Sequence, residues 1–357
     1  MSEDASQPTP QQDIPPFDPE APHHAKPKLR PVRGFGTQAA GTDGQKRPVL
    51  GLADSKQISD KIVFTQPAMQ AVLPLLDGEQ DLDSVVNQVG RGLTREMLEQ
   101  LVSQLDHAGL IEGPSFDAMY EKLRSDFDGS DTLPPGQSAA FAEHLVMQRV
   151  ANEAGQRALQ AGQSQEEAQA AARSAAEALS QEVKKERSAG ALRESFEGWM
   201  NQALGSADDP SYDVLPRAVF VPFSPYAQGW QNYAHVYGRL RVVDRPDRIV
   251  VLGPNHFGLS SGVCAVAKSF ETPLGLSPVD TAMLEAVQGR LDGQMGGGLG
   301  EALLEHQYDH EREHSIELQL PWLQHVFGGG ESGEDGARPR HARSAGRRGR
   351  CRTTGRG

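Results

Sequence analysis

The sequence predicts an α/β domain in the last third of the chain, preceded by a small winged-helix domain and a helical linker. Three observations carry that expectation. Short continuous apolar runs at Arg217-Ala-Val-Phe-Val221, Arg248-Ile-Val-Val-Leu252 and Gly262-Val-Cys-Ala-Val-Ala267 alternate with helical stretches, the pattern of buried strands in a sheet covered on both faces. Three short helical stretches and a closing Leu110-Ile-Glu-Gly113 fall within residues 46–115, in winged-helix order. Between these parts, residues 116–210 turn Ala- and Gln-rich, which favours helix while supplying little to bury.

Taken in order, the elements are justified as follows. Eight of the 24 prolines lie in the first 31 residues, among Gln, Asp, Glu, Lys and His, so residues 1–45 are expected to be a disordered lead with too little apolar surface to offset ordering entropy. Lys61-Ile-Val-Phe64 is a short strand candidate. Pro67 opens a helical run to Leu76 that Pro74 is expected to kink or shorten. A second helix is expected from about Leu82 to Val89, ended by Gly90. Thr94 caps a third, in which Met97, Leu98, Leu101, Val102, Leu105 and Ala108 recur at helical spacing up to Gly109. In the linker, Ser164-Gln-Glu-Glu167 has the capping-box spacing, and the Ala-rich helix behind it reads as a spacer or a weakly packed hairpin. Tyr233 to Leu240 has the length of a crossover helix. Ser277-Pro278-Val-Asp280 announces another helix, with Ser as cap, Pro at the first position and Asp at the third.

The charge balance excludes one class of function. The chain has 357 residues and a formal charge of −13, but the eight arginines after Gly336 stand among no acids, which leaves −21 on residues 1–336. Between Asp60 and Gly113 nine acids face three cations, Lys61, Arg91 and Arg95. A surface that tracks phosphates needs clustered cations on the folded part, so no nucleic-acid partner is expected for the winged helix, and a peptide or protein partner or a structural role is. Two cysteines, Cys264 and Cys351, are too few for a disulfide framework. With no basic and apolar leader and no window near the ~18 apolar residues needed to span a bilayer, no membrane contact and a cytoplasmic location are expected.

In open α/β sheets ligands collect beyond the carboxyl ends of the strands. Two of the strand candidates run into turn-rich words there, Val221-Pro-Phe-Ser-Pro-Tyr226 and Leu252-Gly-Pro-Asn-His256-Phe-Gly258. His256 stands where a catalytic or metal-binding imidazole would, and equally where a histidine bonds its neighbouring loop; the residues leave both readings open.

Together the words RIVVLGPNHFG (248–258), KSFETPLG (268–275) followed by Asp280, and EHSIELQLPWL (313–323) resemble the Memo family, component B of the AmmeMemoRadiSam system, over Val214 to Gly328. The resemblance implies the fold of class III extradiol dioxygenases, here incomplete over 211–328, and a pocket whose histidines sit like iron ligands. Iron or copper is the cofactor it implies. Carried over by position, His256 and His314 are the metal candidates, and Asn255, Thr272, Asp280 and Glu317 line the cleft. Residues 57–113 resemble, more loosely, the PqqD-like winged-helix modules that bind peptides for radical-SAM enzymes, which implies a peptide or radical-SAM partner.

The sequence departs from the Memo pattern in two places. Where relatives show a Pro-His-Ile-Asp-Tyr-like word and then Arg, this chain has Pro222-Phe-Ser-Pro-Tyr226 and Gln228, so Phe223 stands at a lost ligand position. After Gly336 the chain continues as ARPRHARSAGRRGRCRTTGRG, with no large apolar residue, so 329–357 is expected to be a disordered tail, from a frameshift or a true short ending. Two further signals are weaker. His306, His310 and His314 recur every four residues, but the residues between them supply no apolar stripe to hold one helix. Glu317 and Asp280 also read as helix-start acids. The expectation is a protein of unestablished reaction lacking metal-dependent oxygenase activity in this form. The alternatives are a non-haem iron or copper enzyme and a scaffold for a radical-SAM partner.

Overall fold

The computed structural model describes residues 14–40, 45–90, 92–205, 214, 216–241, 243–295 and 298–328. The tail expected over 329–357, with Cys351, and the first 13 residues of the expected lead lie outside them. The described residues form a mixed helix and sheet protein with two small three-stranded sheets.

The N-terminal domain begins earlier than its composition suggests. A short helix α1 (Pro22–Ala25) leads into β1 (Val32–Ala40), which pairs antiparallel with β2 (Lys46–Asp54), and β2 with β3 (Ile62–Thr65). Gly51 is opposite Phe35 in this sheet, and a Cβ there would meet the ring at 2.5 Å. The disorder expected for 1–45 is therefore corrected for 14–40. The segment before β1 is bound by backbone bonds that composition does not reveal: Leu29 N–H to Leu76 O, Arg30 N–H to Leu110 O and Glu112 N–H to Lys28 O. Leu110 to Gly113, the expected wing, meets this incoming segment through the Leu29–Ile111 bridge.

The run from Pro67 is broken as Pro74 requires, into two 3-10 turns, Pro67–Ala71 and Leu73–Leu75. Then α2 (Leu82–Val89) is capped by Asp81 and α3 (Arg95–His107) by Thr94. Helix α3 ends in a Schellman turn: Leu110 N–H bonds Leu105 O and Gly109 N–H bonds Asp106 O, with Gly109 at φ +65°, where a side chain would be strained. Leu52, Val85, Leu98, Val102, Leu105, Leu110 and Ile111 fill the core. Arg30, also buried, donates to Asp54 at 3.0 Å and to Gly109 O at 2.8 Å, and its guanidinium lies 3.6 Å from the centre of the Phe116 ring.

Helices α4 (Pro114–Asp128), α5 (Gln137–Gln160), α6 (Gln165–Glu177) and α7 (Gln181–Leu204) occupy the expected linker, and the Ser164–Glu167 capping box is formed. The spacer reading holds for α6 alone, whose one buried residue is Ala168. It is corrected for α5 and α7. Leu192, Phe196, Met200 and Leu204 recur every four residues and are buried, and the first three, with Ala142, build the core beneath α8 (Tyr226–Gly238) and Trp322. The large side chains are few, but they share one face.

The largest correction concerns the strands. Among the described residues, 217–221, 248–252 and 262–267 form no strand, and Phe220 is 93%, Leu252 86% and Val263 79% exposed. A strand buried on both faces needs a ladder on its edges and cover on each face; among the described residues the runs join no sheet, and though Val221 and Val266 pack on neighbouring cores, the side chains just named have no cover. The second sheet joins instead β4 (Thr132–Leu133), parallel to β5 (Ser269–Thr272), and β6 (Gly275–Ser277). Ser277 is taken up by β6, so α9 (Thr281–Met295) starts later than expected, with Asp280 accepting Met283 N–H at 2.9 Å. The short helices α10 (Leu299–Ala302), α11 (Asp309–Arg312) and α12 (His314–Glu317) lead to α13 (Leu320–Phe327), and Pro321 sits in the first turn of α13 rather than kinking one long helix.

Candidate functional site

The site grows out of the loop after 248–252. Asn255 donates to Asp309 Oδ2 at 2.8 Å and accepts Gly258 N–H at 2.7 Å, and the buried Asp309 also accepts Leu259 N–H and Ser260 N–H at 3.0 Å each. Three donors on one carboxylate fix the loop. The approach is close enough that a Cβ at Gly258 would overlap Asp309, and one at Gly253 would lie 2.5 Å from Ser315 Oγ.

Glu313 holds His256 on this loop. Glu313 is 5% exposed, and its carboxylate accepts His256 N–H at 2.8 Å and Ser315 N–H at 2.9 Å, with His256 Nδ1 3.1 Å from both of its oxygens. Burial alone would push the Glu313 carboxyl up, but the backbone N–H groups of His256 and Ser315 and the His256 ring together hold it below its ordinary value. An ionised carboxylate at Nδ1 puts the ring proton there and leaves the Nε2 lone pair outward, able to accept a proton or to ligate. The His256 side chain is 43% exposed.

The other expected residues are engaged elsewhere. His314 is half-buried beside Phe257, with ring centres 6.1 Å apart, and burial pushes its imidazole down. Phe223 does reach His256, at 5.7 Å between ring centres, and offers no lone pair. Glu317 turns away to the start of α5, where Ser138 N–H donates to it at 3.2 Å and the Ser138 hydroxyl also bonds it; burial raises its pKa. Thr272 fastens the β5–β6 turn, its hydroxyl 2.9 Å from Gly275 O and 2.6 Å from Gln324 Oε1. Asp280 is exposed, caps α9 and pairs with Arg248 at 2.5 Å. His306, His310 and His314 do not share a helix: His306 meets Tyr308 at 2.6 Å and His310 lies 3.8 Å from Cys264 Sγ. Cys264 itself is pushed up by burial and so rests as a thiol.

An iron or copper centre needs three or so convergent donors. Among the described residues one set of three candidate ligand atoms falls within 4.8 Å, and it is His23, His24 and Asp106 in the N-terminal domain. Hydrogen bonding gives His24 another role. Its Nδ1 accepts Asp18 N–H at 2.9 Å, so the neutral ring carries its proton on Nε2, which faces Asp106 Oδ2 at 3.3 Å. A ring so tied has no lone pair left for a metal. At His256, with Phe223 beside it, Glu313 already committed and His314 packed on Phe257, no three ligand atoms converge among the described residues, which does not fit the ligand set of an oxygenase.

Sequence reasoning missed Glu313 and Asp309. Glu313 was within reach of it, as the first residue of the EHSIE word and an acid at a helix start, where it accepts Ser315 N–H.

Residues 185–332 match the family model described as Memo-like protein, and that stretch contains the His256–Glu313 pair. A MEMO1 family protein of Methanopyrus kandleri is 35% identical over 142 residues, covering 38% of this chain and 47% of that protein. One from Saccharolobus islandicus is 38% identical over 120 residues, 33% of this chain and 37% of its own length, and one from Pyrobaculum arsenaticum is 34% identical over 117 residues, 32% and 36%. The chain spans less than half the length of these relatives. No solved structure matches it. Among the described residues no helix is long and apolar enough to cross a membrane.

Proposed function

We propose that this chain is a partner-binding protein built on a Memo-like unit, without a resident metal oxygenase centre of its own. One observation carries the reading: His256, at the LGPNH loop, is paired to Glu313 with Phe223 at its side, where a second ligand would be needed, and among the described residues no three ligand atoms converge there. In this reading His256 Nε2 receives a proton or a donor group from what binds there, and Glu313 keeps the ring oriented and balances its charge. The N-terminal domain, net acidic and with a core of its own, serves as a PqqD-like adaptor for a peptide or a radical-SAM protein in the cytoplasm, and not for nucleic acid.

The test is purification of the full chain from cells supplied with iron or copper, followed by elemental analysis. Substoichiometric metal, the same for wild type and His256→Ala, is expected. One equivalent of iron that His256→Ala abolishes would overturn the reading and reinstate the oxygenase.

A further inference from the structure

The loop that presents His256 is held from two sides, and one of them lies outside the Memo-like stretch 185–332. The peptide unit that joins Gly258 to Leu259 shows both. Asp309 accepts the Leu259 N–H at 3.0 Å, and the Gly258 carbonyl accepts a bond from Lys56 Nζ at 2.7 Å. Gly258 N–H is already on Asn255 Oδ1. Of these three bonds, the one from Lys56 crosses from the N-terminal domain. Close packing does not enforce it: Lys56 and Leu259, with Arg30 and Phe116, line an open cleft of about 480 Å³.

The turn that carries Lys56 is shaped for this reach. The buried Asp54 accepts the N–H groups of Lys56 at 2.9 Å, Ile58 at 3.0 Å and Ser59 at 3.2 Å, besides the Arg30 guanidinium. Gln57 is thereby held at φ +55°, the one non-glycine at positive φ among the described residues. Such a backbone is unfavourable for a residue with a Cβ, and persists where surrounding bonds over-determine it, commonly at functional sites. The domain is also seated against the site by α4. Phe116, beneath Arg30, stacks on Tyr120 at 5.8 Å, and the Tyr120 hydroxyl bonds that of buried Tyr308, the residue before Asp309.

We infer that Lys56 is a positioning residue of the His256 site, supplied by the N-terminal domain. Its ammonium fixes the Gly258 carbonyl, which keeps the Gly258–Leu259 peptide on Asp309 and His256, two residues earlier, on Glu313 with Nε2 outward. The inference rests on the proposed role of His256 as the group presented to a partner.

The experiment compares the metal-free full chain with Lys56→Met and Lys56→Arg, by amide exchange and by nitrogen NMR of the histidine rings, with the His256 signals assigned from His256→Gln. In the wild type at neutral pH the proton is expected on Nδ1. Lys56→Met should speed exchange at Leu259 and Ser260 at least about tenfold and move the His256 nitrogens toward the mixed-tautomer values of a free histidine. Lys56→Arg keeps a charged donor, has room in the open cleft, and should restore both readings. Exchange in α3 should stay at the wild-type rate in both variants. Unchanged His256 nitrogens in Lys56→Met would overturn the inference. So would faster exchange that reaches α3 equally and is not recovered by Lys56→Arg, which would make Lys56 a general support of the fold. One equivalent of iron lost in His256→Ala would sink the proposed function while these metal-free readings stand, so the two failures are told apart.

Discussion

The N-terminal domain and the Memo-like region solve the same problem with different success. The first closes its core: α2 and α3 each turn one apolar stripe onto a three-stranded sheet, and Leu52, Val85, Leu98, Val102 and Leu105 are out of solvent. The second closes only its helical part. Phe196, Tyr233 and Tyr237 stack on Trp322, with ring centres at 3.8, 5.9 and 5.7 Å, while the strand-like runs next to them stay uncovered. An amphipathic helix needs a partner on one face, and a continuous apolar strand needs neighbours on both edges and cover on both faces. The same hydrophobicity is therefore self-sufficient in one element and dependent in the other.

The largest expected effect comes from breaking the closed half of the Memo-like region. Trp322→Ala removes the ring on which four others, Phe196, Trp199, Tyr233 and Tyr237, stack, and should cost about 3–5 kcal/mol. Read by hydrogen exchange, the loss should fall on α7, α8 and α13 and spare α3, whose core is separate. Equal loss of protection in α3 would show that the two regions share one cooperative unit.

An intermediate effect separates the two acids of the EHSIE word. Glu313 is held below the ordinary 4.5, so the stability it contributes is present above that pH and drains away as pH falls through its folded value. Glu317 is raised above 4.5, so its contribution is present below 4.5 and is lost as pH rises through its folded value. At neutral pH Glu313→Gln should cost about 1–3 kcal/mol, since it weakens charged hydrogen bonds at a buried site, whereas Glu317→Gln should be neutral or stabilising. Urea midpoints between about pH 4 and about pH 8 check this. The wild type should gain on Glu313→Gln as pH rises and lose ground to Glu317→Gln; slopes of the same sign would refute the assignment.

What was legible in the sequence was local. Thr94 and Ser164 cap helices because the groups they bond lie three residues away, and Pro74 breaks its run through its own missing N–H. The helix expected over 233–240 exists, but it runs from Tyr226 to Gly238, because its first turns, Tyr226 to Gln231, carry no cap signal of their own. Glu313 was not legible as the partner of His256 because 57 residues separate them, and Arg30 gave no sign of burial because its partners, Asp54 and Gly109, arrive from two other elements. The strands failed for a different reason. The runs at 217–221, 248–252 and 262–267 read as buried strands by pattern, but pattern carries no information on whether anything is there to bury them.

The smallest expected effect tests that last point directly. If the runs are uncovered in the isolated chain, replacing their most exposed side chains removes almost no buried surface. Leu252→Ser and Phe220→Ser should each leave the urea midpoint within about 0.5 kcal/mol of wild type, as for other surface changes. Leu98→Ala in the N-terminal core should cost about 2–5 kcal/mol, although it deletes a side chain of the same size as Leu252. A large loss for Leu252→Ser in the isolated chain would mean that the run is covered in solution. Retained stability there would show that the run lies open in the isolated chain.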